Sequence, residues 1–255
     1  MAHRLPLAIL GTLGLLSVAV VSPAPLSGQD YTQYEVQFMT VSPDGLGDLN
    51  EAMATHNQEY HSGGPYHANV WYVVNGPRTG QLVWVMGPLT FGQLDDRPSV
   101  GGHDDDWQEN VVPHLLPQGE VSYWRRNDSA SYIVDEEVHP ILRIRGYKIA
   151  RGRMGDFLDS RRMVKEVSEA NGRTRSEVVM QPRFRPQTGP DVVVITPYDT
   201  WGELDEGSGF GSFRDAFIAV HGQGAWQGWI DGNRANIEDS WDEYHNLMPE
   251  LSGSN

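Results

Sequence analysis

The alternation of hydrophobic and polar residues predicts strands and helices along most of the chain. In residues 34–41, Val36 and Phe38 alternate with Glu35 and Gln37, a pattern typical of a strand with one buried face. The next large residues recur every three or four positions, which predicts a helix with a buried stripe of Leu49, Met53, His56 and Tyr60. A Gly-Gly-Pro sequence would end this helix.

The remaining pattern predicts the element order β-α-β-β-α-β, the order of a ferredoxin-like unit. In the first half, the other expected elements are strands at 68–74 and 81–86, a helix at 104–115 and a strand at 121–126. In the second half, they are a strand at 141–150, a helix at 154–170, strands at 175–181 and 191–196, and a last helix at 237–247. No fourth strand is evident in the second half.

Three short sequence blocks recur in the same order, which indicates an internal repeat. Residues 47–49, 90–96 and 105–109 correspond to residues 155–157, 200–206 and 239–243. The alignment pairs Phe91 with Trp201 and Trp107 with Trp241. It also requires extra residues in the second half, at about 207–233.

We therefore expect an α+β fold of two tandem ferredoxin-like units, residues 29–138 and 139–255. The second unit is expected to carry an inserted helical segment at about 207–233 and to lack an evident fourth strand. That segment is rich in glycine and aromatic residues. It would either cover the open sheet edge or form a lid over a pocket.

The N-terminal residues predict export. His3 and Arg4 precede an apolar run at 5–21, and small or turn-forming residues follow as far as Gly28. This pattern is typical of a signal peptide, residues 1–28, although the run is also long enough to stay uncleaved as a membrane anchor. We expect cleavage near Gly28 and a periplasmic or secreted protein with no stable membrane span after signal removal.

Composition and motifs exclude several classes of protein. The chain has no cysteine, which excludes a disulfide framework and thiolate catalysis. Its formal net charge is −15, so a nucleic-acid partner is not expected. The motifs of nucleotide hydrolysis, Rossmann-type redox chemistry, zincin proteolysis and α/β-hydrolases are all missing. A homo-oligomer is compatible with the sequence.

The predicted order of elements resembles the dimeric α/β-barrel superfamily, including its NIPSNAP-like and antibiotic-monooxygenase-like families. The resemblance implies that the sheets of the two units pack as an α/β barrel within one chain. The resemblance rests on the two tandem units, on Phe91-Gly92 and Trp201-Gly202 after the third strand of each unit, and on Trp107 and Trp241 in the second helices. The superfamily includes cofactor-independent monooxygenases, haem-binding enzymes of the chlorite-dismutase type and domains without known activity. No member's catalytic set matches this chain residue by residue, so the resemblance implies no particular activity.

The histidines concentrate in the first half of the chain. His56 lies on the helical stripe and aligns with Val164, which favours a core or helix-end role. His61 and His67 flank the Gly-Gly-Pro sequence and are the candidate catalytic bases. Residues 104–106 are aspartates at a predicted helix start, where carboxylates stabilise free amide groups without a metal. We therefore expect no metal and no cofactor.

The two faces of the predicted strand at 141–150 differ in chemistry. Leu142 and Ile144 share the apolar face, which we expect to pack under the helices. The polar face would then look into the space between the sheets, where arginines would pair with carboxylates or hold an anionic ligand. With aromatic walls added, the candidate ligand-binding residues are Arg143, Arg145, Tyr147, Trp71, Trp84 and Glu35.

These patterns leave three functional hypotheses. The first is an exported barrel protein that binds a small anionic or amphipathic molecule. The second is a cofactor-independent monooxygenase or isomerase that uses His61 or His67 as its base. The third is a non-catalytic structural or interaction module. A closed cavity with converging polar side chains would favour the first two hypotheses, and a filled interior would favour the third.

Overall fold

The computed structural model describes residues 32–43, 45–97, 101–117, 120–185, 188–205 and 211–253. Eight strands form one closed antiparallel barrel in the order β1-β3-β2-β8-β5-β7-β6-β4. The strands are β1 (Gln33–Met39), β2 (Ala68–Asn75), β3 (Leu82–Leu89), β4 (Glu120–Arg126), β5 (Ile141–Ile149), β6 (Val178–Pro182), β7 (Val192–Tyr198) and β8 (Ile237–Leu247). Closure pairs every strand on both sides and leaves no sheet edge that needs a cover.

The barrel closes through two contacts between the halves of the chain. Strands β1 to β4 are neighbours of one another, and so are β5 to β8. The halves join where β2 pairs with β8 and where β4 pairs with β6. Trp71 lies opposite Leu247 at the first contact, and Trp124 lies opposite Pro182 at the second. The chain is therefore α+β and forms an α/β barrel by itself.

The helices lie outside the barrel. They are α1 (Leu46–Tyr60), α2 (Phe91–Asp95), α3 (His103–Asp106), α4 (Met154–Ala170), α5 (Phe213–His221) and α6 (Gln223–Asn236). A π-helical turn (Trp107–Val111) and a 3-10 turn (Val112–His114) continue from α3. Leu49 and Met53 of α1 pack against the outward side chains of β3, including Trp84 and Met86. In the part of the chain that the structure describes, no helix combines the length and apolar character needed to cross a membrane.

The predicted last helix at 237–247 is wrong, because these residues form strand β8. The expectation that the second half lacks a fourth strand is therefore also wrong. Acidic residues disfavour a strand when they are considered locally, but here they have cationic partners on neighbouring elements. Asp242 binds Arg143 and Arg145 of β5, and Glu243 binds Arg78 of the β2–β3 connection. These long-range ion pairs override the local propensity.

The alignment of Trp107 with Trp241 is wrong for the same reason. Trp107 lies in the helical turn after α3, whereas Trp241 lies in β8. The ring of Trp241 covers Gly146 of β5 so closely that a Cβ atom there would be 2.7 Å from it. The third sequence match therefore gives no support for an insertion. The described part of the segment at 207–233 is mostly helical, because it contains α5 and most of α6, which lie between β7 and β8.

The other two sequence matches occupy similar places in the element order. Thr90 caps α2, which follows β3, and Thr200 precedes a 3-10 turn, Trp201–Leu204, which follows β7. Leu49 and Phe157 are each fully buried on the first long helix after a strand, α1 and α4 respectively. The predicted signal peptide, residues 1–28, lies outside the described residues.

Candidate functional site

The interior of the barrel contains a cavity of about 370 Å³. Residues that alternate along the strands, and so point inwards, form most of its wall. The apolar part of the wall includes Val36, Phe38, Trp71, Leu142, Ile144 and Ile195. A concave, largely apolar cavity of this size is the usual form of a small-molecule site.

One connected group of charged or titratable side chains, Arg78, Glu243 and His245, meets the cavity through Arg78 and His245. Arg78 donates three hydrogen bonds to the carboxylate of Glu243, from Nε to Oε1 at 2.9 Å and to Oε2 at 3.1 Å, and from Nη2 to Oε2 at 2.8 Å. The Nε2 of His245 lies 3.2 Å from Oε2 of the same carboxylate. The guanidinium of Arg78 also stacks over the ring of Phe38, 3.6 Å from its centroid. Arg78 and His245 both line the cavity.

The surroundings hold Glu243 charged and His245 neutral. Burial raises the pKa of Glu243, but hydrogen bonds from His245 and Arg78 outweigh burial and lower it below its usual value. Burial lowers the pKa of His245, although the bond to Glu243 opposes this effect. A neutral imidazole oriented by a carboxylate can accept a proton from a bound molecule.

One end of the cavity is polar. In the antiparallel barrel, β2, β5 and β6 run in the same direction. The residues that precede these strands therefore lie at the same end of the barrel. His67 comes just before β2, His139 just before β5 and Ser176 just before β6, and all three line the cavity. The predicted base His67 therefore borders the cavity, with its Nε2 3.2 Å from the carbonyl oxygen of Gly253.

The predicted face assignment of β5 is wrong. Leu142 and Ile144 line the cavity, whereas Arg143 and Arg145 lie on the outer face of the barrel. Both arginines bind Asp242 of β8, with Nε to Oδ1 distances of 2.9 Å. Period-2 alternation separates the two faces of a strand, but it does not say which face points inwards. In this barrel, the interior takes the apolar face.

The same inversion moves other predicted ligand-binding residues away from the cavity. Glu35 is buried on the outer face of β1 and pairs with Arg97. Trp84 is also on the outer face, where its Nε1 donates to Oδ1 of Asn57 at 3.0 Å. Tyr147 packs against Phe157 of α4. Trp71 does line the cavity, and its buried Nε1 has no acceptor among the described residues.

A second constellation lies outside the barrel wall, between α1 and α3. His56, His61 and His103 are buried, and one ring nitrogen from each lies within 4.8 Å of the others. The Nε2 atoms of His61 and His103 are 3.1 Å apart. Trp84 packs edge-on against His61, and Trp107 packs against His56. The predicted base His61 therefore belongs to this histidine cluster and does not line the cavity.

Each imidazole of the histidine cluster is also held through its Nδ1 atom. The Nδ1 of His56 is 2.7 Å from Oδ2 of Asp106, and that of His103 is 2.8 Å from Oδ1 of Asp104. The Nδ1 of His61 is 2.9 Å from the carbonyl oxygen of Tyr66. Burial lowers the pKa of His61 to about 3, so this imidazole is neutral at physiological pH.

These contacts change the interpretation of the aspartates at 104–106. The residue that caps α3 is Gly102, and no side chain caps this helix. Asp104 and Asp106 instead orient His103 and His56. Sequence reasoning placed His56 correctly on the buried stripe of α1, but it did not bring His103 to the same place. It also missed Arg78, Glu243 and His245, which lie far apart in the sequence.

The chain matches no protein-family model, and no curated protein sequence is similar to it. Solved structures do resemble it. A protein from Lactobacillus acidophilus NCFM, provisionally assigned as a monooxygenase, superposes with a TM-score of 0.54 and 10% sequence identity over 88% of this chain and 96% of its own. An anthrone oxidase-like protein superposes with a TM-score of 0.56 and 13% identity over 88% of this chain and 94% of its own.

Another similar structure is a chlorite dismutase from Candidatus Nitrospira defluvii, in complex with imidazole. It has a TM-score of 0.50 and 7% identity over 86% of this chain and 92% of its own. At such low identities, these likenesses show the fold alone. The chain therefore has the ferredoxin-like α/β-barrel fold that monooxygenase-like and chlorite dismutase-like proteins share.

Proposed function

We propose that the barrel cavity binds a small, largely aromatic or aliphatic molecule that carries at least one polar group. The observation that carries this proposal is the apolar cavity itself, with Arg78 and His245 in its wall. An amphipathic ligand agrees with the expectation from the sequence. However, the polar side chains available to hold it are Arg78 and His245, not the expected Arg143 and Arg145.

We also propose the finer assignments that the sequence suggested. These are two tandem ferredoxin-like units that arose by duplication, a place near the NIPSNAP-like or antibiotic-monooxygenase-like families, and export after loss of residues 1–28. The matched blocks around Thr90 and Thr200 support the duplication, and the basic and apolar N-terminal pattern supports export. N-terminal sequencing of the exported chain would test cleavage near Gly28.

Filling the cavity should abolish ligand binding. Val36 lines the cavity on β1, so Val36→Trp places an indole ring in the space that the ligand would occupy. Val121→Trp is the matched control, because Val121 is half exposed on the neighbouring strand β4 and does not line the cavity. We expect the anionic aromatic dye 1-anilinonaphthalene-8-sulfonate to bind the unaltered chain and the control, and to bind Val36→Trp at least tenfold more weakly. Equal dye binding by both variants, with circular dichroism unchanged, would contradict the proposal.

A second candidate function is proton abstraction from the bound molecule, which the His245–Glu243 pair favours. A neutral His245 could remove a proton from the acidic carbon of a substrate such as anthrone, and the resulting carbanion could react with O₂ to give anthraquinone and water. The anthrone oxidase-like neighbour suggests this probe, although it shows only a shared fold. Wild-type protein should then consume O₂ with anthrone.

This second function predicts different effects for two histidines of the cavity. His245→Gln should lower the rate of O₂ consumption at least 100-fold, because general-base catalysis typically contributes a factor of about 10² to 10⁴. His67→Gln should have a much smaller effect, because His67 lacks a carboxylate partner among its described contacts. Dye binding without any O₂ consumption would support a binding function and contradict the proposed oxidation of anthrone.

A further inference from the structure

The histidine cluster between α1 and α3 is separate from the barrel cavity, and its chemistry differs from that of the cavity. We propose that His56, His61 and His103 form a binding site for one divalent transition-metal ion. The proposal does not depend on ligand binding in the barrel. It rests on the positions of six ring nitrogens and on their hydrogen-bond partners.

The Nδ1 contacts fix where the imidazole protons lie. A carboxylate or a carbonyl oxygen can only accept a hydrogen bond, so each Nδ1 atom must donate. The partners are Asp106 for His56, Tyr66 for His61 and Asp104 for His103. In the neutral imidazoles, every Nε2 atom then carries a lone pair. This is the tautomer that metal-bound histidines adopt, with the second nitrogen donating to an oxygen.

The Nε2 atoms are left in an arrangement that is unfavourable without a cation. The Nε2 atoms of His61 and His103 are 3.1 Å apart, and two lone pairs at that distance repel each other. The Nε2 of His56 is buried and has no hydrogen-bond partner among the described residues. An unpaired buried polar atom costs about 1–3 kcal/mol.

A proton and a metal ion would resolve this arrangement to different extents. If His103 were protonated, it could donate to His61, but His56 would keep its unpaired nitrogen. A metal ion accepts lone pairs from all three nitrogens at once. A metal ion would therefore give all three Nε2 atoms a partner, whereas a proton would give a partner to only two of them.

The distances suit a transition metal. Zinc binds imidazole nitrogen at about 2.0–2.1 Å, which puts tetrahedral ligand nitrogens about 3.4 Å apart. The separation of 3.1 Å between the Nε2 atoms of His61 and His103 is close to this value, and one ring nitrogen from each of the three histidines lies within 4.8 Å of the others. Imidazole ligands favour zinc, copper, iron or nickel over magnesium or calcium. Three protein ligands also leave one tetrahedral position for water.

The test uses the untagged chain, stripped with a chelator and titrated with Zn²⁺. We expect one zinc ion per chain by native mass spectrometry and a dissociation constant from calorimetry that rises at least 100-fold in His61→Gln and in His103→Gln. His221→Gln is the matched control, because His221 on α5 is largely buried and bonds to the carbonyl oxygen of Met163, away from the cluster. It should bind zinc as tightly as the unaltered chain.

Two further measurements separate loss of a ligand from loss of the fold. Asp106→Asn keeps all three ligands but weakens the acceptor that orients His56, so zinc affinity should fall about 10- to 100-fold while circular dichroism stays unchanged. Co²⁺ bound to the unaltered chain should show the intense visible absorption of tetrahedral coordination. No zinc binding by the folded wild-type chain, or unchanged affinity in His103→Gln, would overturn the proposal.

Discussion

Arg78→Met should lower the free energy of unfolding by about 3–5 kcal/mol at pH 7, because it leaves Glu243 charged, buried and without its cation. The side chain of Glu243 is fully buried, and Arg78 supplies its paired hydrogen bonds. Methionine retains much of the apolar stem that packs over Phe38, so the expected loss is mainly electrostatic. Urea denaturation followed by tryptophan fluorescence would measure it.

A second substitution shows whether the buried charge causes the loss. In the double variant Arg78→Met, Glu243→Gln, no carboxylate remains to be desolvated, and the amide can still bond to His245. We expect the double variant to regain most of the lost stability, since replacing both partners of a buried pair is often nearly neutral. If the free energy of unfolding of Arg78→Met were within about 1 kcal/mol of that of the unaltered chain, the ion pair would contribute little to the stability of the barrel.

Asp242→Asn should lower the free energy of unfolding by about 1–2 kcal/mol at pH 7, after allowance for solvent screening of this partly exposed group. Asp242 accepts hydrogen bonds from both Arg143 and Arg145, whose like charges lie side by side on β5. Asp239→Asn is the matched control, because Asp239 is an exposed acid on the same strand. We expect the control to change stability by less than about 0.5 kcal/mol.

The effect of Asp242 should depend on pH in a defined direction. Burial raises its pKa, but hydrogen bonds from Arg145 and Arg143 outweigh burial and hold the pKa at about 2, below the usual 3.8. Because the folded pKa is the lower one, the stabilisation is complete above about pH 4 and is lost as the pH falls through about 2. The stability difference between the unaltered chain and Asp242→Asn should therefore shrink over that range. A difference that stayed constant down to pH 2 would contradict the assigned pKa.

The partners of Asp242 also explain why the last strand was predicted as a helix. Residues 237–247 carry several acids, which locally disfavour a strand. Their cationic partners, Arg78, Arg143 and Arg145, lie at least 97 positions away in the sequence. The sequence of residues 237–247 alone contains no information about arginines that contact these residues only in the folded barrel.

The histidine cluster and the group of Arg78, Glu243 and His245 at the cavity are both assembled only by tertiary packing. His56 and His61 are close in the sequence, but His103 reaches them only because α3 packs on α1. His245 and Glu243 occur on a segment predicted to be helical, so their inward direction on β8 could not be foreseen. Neither set has a spacing that a motif search would recognise.

The sequence by itself determined the α+β class, the positions of the first seven strands and two long helices to within a few residues, and the two chemically distinct faces of β1 and β5. Local alternation and helical spacing encode these features directly. Only the tertiary structure decided that the apolar faces of β1 and β5 point into the cavity, that residues 237–247 close the barrel as β8, and that three histidines converge outside it. These outcomes depend on long-range pairing of strands and charges, which no short segment contains.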